Sequence, residues 1–126
     1  MKKLLLLSTF FILISNVFAQ TWQEADSLRD VYLEKQSFDT ALIFARQTAD
    51  LVKEEFGEMD TLYADMLHGI VLVYGYSGNY KSAVAYAEQE RKIREKLHGV
   101  DHSDYGTCLT WMGWLYLNMG QYDKAL

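Results

Sequence analysis

Proline is absent from the 126 residues, cysteine occurs once, and 12 Lys and Arg face 17 Asp and Glu. Without proline the chain lacks the residue that most often starts turns, kinks helices and blocks edge strands, so long uninterrupted helices are favoured over a loop-rich or all-β fold. A single cysteine, Cys108, excludes an internal disulfide and a cysteine-based zinc site. In an exported chain an unpaired thiol is expected to be buried. The formal charge of −5 provides no basic surface for non-specific nucleic-acid or anionic-membrane binding, so neither partner is expected. Also missing are a Ser-His-Asp ordering, a glycine-rich phosphate loop and a recognisable pair of catalytic glutamates, so neither an enzyme nor a cofactor is expected.

What is present is hydrophobic and aromatic. Half the residues are hydrophobic, with three Trp, nine Tyr and six Phe, enough for one buried core and contrary to disorder. The first stretch is set apart from the fold: Lys2 and Lys3 precede an apolar run over residues 4–14, and Val17-Phe18-Ala19 places small residues where a leader is cut. The run is shorter than the roughly 20 residues of a spanning helix. Residues 1–19 are therefore expected to be a signal peptide rather than a retained anchor. Residues 20–126 would form an exported domain, periplasmic or secreted, that does not insert in the membrane. Losing Lys2 and Lys3 would take the formal charge from −5 to −7.

Helical spacing governs the remainder. Trp22, Ala25, Leu28, Val31 and Tyr32 mark a first helix, with Asp26, Arg29, Asp30 and Glu34 between them. Ser37 is placed to cap a second, with the inward stripe Phe38, Ala41, Leu42, Ala45, Ala49, Val52 and Phe56, ended by Gly57. A third starts near Asp60 or Thr61, carries Tyr63, Leu67, Ile70, Val71 and Tyr74, and stops at Gly78. Asn79 caps a fourth, with Tyr80, Ala83, Val84, Ala87, Ile93 and Leu97 inward and the pairs Glu88–Lys92 and Glu90–Arg94 expected outside. Tyr105, Leu109, Met112, Gly113 and Tyr116 give a fifth, ended by Gly120. Residues 122–126 open one more, too short to be stable as it stands, so the natural chain is expected to continue.

These landmarks recur at a step of 42 residues: Gly57 and Gly99, Tyr63 and Tyr105, Leu67 and Leu109, Tyr74 and Tyr116, Gly78 and Gly120, Tyr80 and Tyr122, Ala83 and Ala125. One step earlier, Leu28, Tyr32, Phe38, Ala41 and Leu42 fall under Ile70, Tyr74, Tyr80, Ala83 and Val84. Alanine at 41, 83 and 125 lets paired helices approach, with an aromatic at 38, 80 and 122 beside the crossing. The densest copy, Leu109-x2-Met112-Gly113-x2-Tyr116-x3-Gly120-x-Tyr122-x2-Ala125, resembles the tetratricopeptide repeats. The longer period and the stretch 93–105 resemble the variant of that family typified by kinesin light chains, with His102-Ser103 where that variant has His-Pro. The first copy departs further, with Arg29 and Gln36 where small residues belong. The resemblance implies an all-α fold of antiparallel helix hairpins stacked as a right-handed solenoid, with copies at about 21–56, 57–98 and 99–126, the last incomplete.

The resemblance also implies a non-enzymatic scaffold that binds a protein or peptide on the face made by the first helix of each pair. In that register stand Gln23, Asp26, Asp30 and Glu34, then Asp65, His68, Leu72 and Tyr76, then Thr107, Thr110, Trp114 and Asn118. The Lys, Asn and Arg with which chaperone-binding members hold a C-terminal carboxylate are not among them. An acidic and aromatic groove of this kind suits a basic or polar extended peptide, with Trp114 and Tyr76 as anchors. The plain alternative is a solvated acidic helix face, with Trp114 packing on the next repeat. The His98, Asp101, His102 and Asp104 cluster is explained by its turn and is not expected to hold a metal. Two other functions stay open. One is a sensing or recruiting region ahead of a caspase-like protease or sensor histidine kinase domain, as in bacterial proteins with similar repeats. The other is a solenoid that self-associates through its C-terminal repeat.

Overall fold

A computed structural model describes residues 21–120; the expected signal peptide and the residues Tyr122, Ala125 and Leu126 lie outside the described residues. Five helices follow in order: α1 (Trp22–Glu34), α2 (Phe38–Phe56), α3 (Thr61–Ser77), α4 (Tyr80–His98) and α5 (Ser103–Asn118). Each packs on the next, as antiparallel pairs, and the fold is all-α, with helix hairpins stacked in tetratricopeptide fashion. Among the described residues no helix is long and apolar enough to cross a membrane.

Local chemistry sets the ends. Thr21 Oγ1 accepts from the Glu24 N–H, Asp60 Oδ1 from Leu62 at 2.8 Å, and Asn79 Oδ1 from Ser82. Ser37 precedes α2 as expected but forms no side-chain cap bond. His102 caps α5, its Nδ1 accepting from the Asp104 N–H at 3.2 Å, and Ser103 is the first helical residue.

The 42-residue step is written into the backbone too. Gly57 and Gly99 share one conformation, φ 89° and 79° with ψ 170° and 172°, a region open essentially to glycine alone. Gly78 and Gly120 are both left-handed, at φ 84° and 75°, and the first copy keeps that turn with Gln36 at φ 58°. An L side chain costs about 1–2 kcal/mol in that conformation. Gln36→Gly is therefore expected to raise the unfolding free energy, by about 0.5–1 kcal/mol after glycine's larger unfolded-state entropy is counted. Urea denaturation measures this, and a destabilised variant would mean that Gln36 makes contacts outweighing the strain.

The core fills in two parts. Ala41, Ala45, Val52, Leu67, Ile70 and Ile93 belong to the first, between α2, α3 and α4; Val71, Ala83, Ala87, Cys108, Met112 and Leu115 form the second, between α3, α4 and α5. Ala41 and Ala83 are fully buried at equivalent crossings, as the close approach of paired helices requires. Arg46 of α2 reaches across to the Tyr74 hydroxyl of α3.

Several expected orientations are corrected. Val31, Phe56 and Leu109, assigned to inward stripes, are exposed. Phe56 is the last residue of α2, and α5 has only one described neighbour along the chain, α4, to cover it. Glu88 pairs with Arg91 at 3.0 Å rather than with Lys92. The larger change is at Glu90 and Arg94, which are buried instead of solvated, at 2 % and 5 % exposure.

Candidate functional site

The first helices of the pairs, α1, α3 and α5, lie side by side. The Arg29 side chain crosses from α1 onto Gly69 of α3, so closely that a Cβ on Gly69 would sit 2.3 Å from Arg29 Nη1. Between α3 and α5, a Cβ on Gly75 would lie 3.4 Å from the Trp114 ring. Glycine at two places in α3, Gly69 at its middle and Gly75 in its last turn, thus makes room for a large side chain from each neighbouring front helix.

At the α3–α5 seam four aromatic rings and one imidazole interlock. Trp111 meets Trp114 edge to face at 5.6 Å and 77°, Tyr76 at 6.1 Å and 85°, and His68 at 5.6 Å and 75°; Trp114 also meets Tyr80 at 5.8 Å. Edge-to-face contacts pin each ring through its quadrupole. Tyr76, Thr110, Trp111 and Trp114 line a hollow of about 420 Å³ open to solvent. Tyr76 is 55 % exposed and Trp114 38 %, so the floor of this hollow is aromatic surface in contact with water.

Behind the hollow lies a polar clasp. His68 Nδ1 sits 3.0 Å from Glu90 Oε2, and as a carboxylate only accepts, Nδ1 donates. Arg94 donates through Nε to Glu90 Oε1 at 2.8 Å and through Nη2 to Asp65 Oδ1 at 2.9 Å. Its Nη1 is buried without a hydrogen bond among the described residues, with Asp104 Oδ2 at 3.8 Å. Burial pulls the Arg94 guanidinium down, but the bonds to Glu90 and Asp65 outweigh it and hold Arg94 above its ordinary value. One carboxylate and one guanidinium on α4 therefore tie α3 to α4 and approach α5.

Of the residues marked by the sequence register, the structure gathers Tyr76, Thr110 and Trp114 in one hollow, with His68 packed on Trp111 behind it. Leu72 is half-buried. Thr110 and Asn118 are exposed and bonded to their own helix, Thr110 Oγ1 to Gly106 O and Asn118 Nδ2 to Trp114 O. Asp65 belongs to the clasp. Asp26 and Asp30 lie apart on α1 and are engaged by Arg29, with Arg29 Nη1 to Asp26 and Nη2 to Asp30 both at 2.7 Å. Burial raises the Asp26 carboxyl above its usual range, partly countered by Arg29 and reinforced by Asp30 and Asp65. The residue that the register missed is Trp111. It falls one step after Gly69 and two after Ser27, and that jump from small to large at a single repeat position was the available signal.

The front helices are also one-sided in charge. Their described acids are Glu24, Asp26, Asp30, Glu34, Asp65 and Asp104, and their one Lys or Arg is Arg29, which is buried and paired. His98 and His102 stack at 4.5 Å, His98 Nε2 lies 3.2 Å from Thr61 Oγ1, and His102 Nδ1 serves the α5 cap, so the turn uses its histidines structurally. Among the described residues no group of three His, Cys, Asp or Glu is arranged to hold a metal ion.

Cys108 is buried against α4, its Sγ donating to Ala87 O at 3.5 Å. Burial, with Glu90 adding to it, pushes the thiol up from 9.0 to about 12. The unfolded thiol ionises first as pH rises, so the folded state loses stability between about pH 9 and 12 and nothing below. Because the thiolate is the nucleophile, alkylation by iodoacetamide at pH 8 should be roughly a thousandfold slower in the folded protein than in urea. Equal rates would show that the thiol is accessible.

Stacked helix hairpins with their first helices along one face define a helical-repeat architecture. A tetratricopeptide repeat model matches residues 62–126, over half of the chain, and the protein belongs to the tetratricopeptide repeat family. Domains of this family are generally protein–protein interaction scaffolds and typically non-catalytic. No curated protein is significantly similar to the chain.

Proposed function

We propose that the protein binds an extended, basic segment of a partner protein across the front face of α1, α3 and α5, with Tyr76 and Trp114 as anchors. The observation that carries this reading is the solvent-open aromatic hollow on a face whose only Lys or Arg is already paired. Exposed aromatics are the side chains that most often dominate interface energies, and an acidic surround favours and steers a cationic partner. The 42-residue step and the 93–105 stretch support assignment to the kinesin-light-chain-like variant of the family. Lys2, Lys3, the apolar run and Ala19 support export, so the partner would be met in the periplasm or outside the cell.

The test is a titration of the full chain with basic, neutral and acidic decapeptides, followed by tryptophan fluorescence. Basic peptides should bind, with an affinity that falls as salt rises, and acidic ones should not. Trp114→Ala should weaken binding by about 30-fold, the equivalent of about 2 kcal/mol, without changing helicity by circular dichroism. Binding that ignores peptide charge, or survives Trp114→Ala unchanged, would remove the front face from the account.

A further inference from the structure

The geometry points to a subsite for one arginine side chain in the corner formed by Tyr76, Trp111 and Trp114; this rests on the front-face reading above and sharpens it to a single group. The Trp111 ring stands nearly perpendicular to both of its neighbours, at 85° to Tyr76 and 77° to Trp114. A planar cation entering such a corner lies flat on one ring and meets the edges or faces of the others, and tryptophan is the strongest cation–π partner.

Two observations select guanidinium over the alternatives. The lining residues Tyr76, Thr110, Trp111 and Trp114 are all uncharged. An ammonium is compact and strongly hydrated, and it gains too little from a corner without a carboxylate to replace its water; a guanidinium is weakly hydrated and stacks. The acceptors within the lining are the hydroxyl oxygens of Tyr76 and Thr110, and Thr110 spends its own proton on Gly106 O, which leaves its lone pairs for incoming N–H groups. The second observation separates arginine from an apolar side chain, which an aromatic corner would also accept. Behind the corner the carboxylates of Asp65, Glu90 and Asp104 outnumber Arg94, the one guanidinium they share, so the net field is negative and a cation is drawn in where leucine gains nothing from it.

The clasp behind the corner gives it rigidity. His68 is held through Nδ1 by Glu90 and packs on Trp111, so the central ring is backed by a side chain that is itself fixed. Preorganised rings lose little freedom when a ligand arrives, which is what a small cationic subsite requires.

The experiment uses the full chain and one basic decapeptide frame in which a single central position is Arg, Lys, citrulline or Leu. Citrulline keeps the shape of arginine without its charge. The arginine peptide should bind about tenfold more tightly than the citrulline and leucine peptides, and measurably more tightly than the lysine peptide. In Tyr76→Ala and Trp114→Ala the arginine peptide should fall to the affinity of the lysine peptide, both keeping only the small charge-dependent advantage over citrulline and leucine that salt removes; Tyr76, being the more exposed, provides a variant whose fold is least at risk. If the frame binds but citrulline or leucine equals arginine, the subsite inference fails and the front-face reading stands. If no peptide of the frame binds, both fail.

Discussion

Arg94→Ala is expected to lower the unfolding free energy by about 3–5 kcal/mol, the range for removing one partner of a buried ion pair. Without Arg94, Glu90 would remain at 2 % exposure with His68 as its single described hydrogen-bond partner. A carboxylate so placed loses far more solvation than one imidazole contact returns. Against the 5–15 kcal/mol usual for a domain, the loss is a large fraction of the whole. The informative contrast is Arg91→Ala on the same helix. Arg91 bonds Glu88 and Glu95, each at 3.0 Å, and reaches Tyr105 of α5, but its partners are partly exposed and none is a buried charge, so its loss should fall near the 0–1 kcal/mol of surface pairs. Urea denaturation of both variants decides the matter: equal losses would mean that the clasp is no stronger than a surface pair.

The second large effect is Leu67→Ala, expected to cost about 2–5 kcal/mol. Leu67 is 2 % exposed in the first core, where α2 and α4 pack against its own helix, so the deletion leaves a cavity that both neighbouring helices must collapse to fill. Leu109 occupies the equivalent place one repeat later and is 45 % exposed. Leu109→Ala should therefore stay within about 0.5 kcal/mol, as most surface substitutions do. The pair separates repeat position from burial. Equal costs at the two sites would show that Leu109 is covered in solution.

The repeat was legible because it is encoded redundantly. Helical period, capping residues and glycine at 57, 78, 99 and 120 all report the same hairpins; the first three cap a described helix and Gly120 stands in the turn that follows α5. The Glu90–Arg94 clasp was not legible for a specific reason. An acid and a base four residues apart make the same pattern whether the helix side faces water or neighbouring helices. What buries this pair are His68 and Asp65, 22 and 29 residues away, and no local window contains them. Arg29 was hidden likewise, since its burial depends on Gly69 across the helix seam. Tyr76, Thr110 and Trp114 could be placed on one face because repeat register carries over residue by residue. Trp111 was missed because the same register puts Gly69 and Ser27 at its position, and a repeat pattern hides the places where one copy departs from it.

Because Glu90 and Arg94 are bonded both within α4 and across to α3, with Asp104 of α5 close by, the second copy has an electrostatic lock that cannot be opened one helix at a time. Repeat arrays are usually described as chains of weakly coupled links, each free to fray at its own free energy. Here the lock fastens both helices of one link into a single cooperative block. That block backs the aromatic corner through His68, which packs on Trp111, so the central ring keeps its support for as long as the block remains closed.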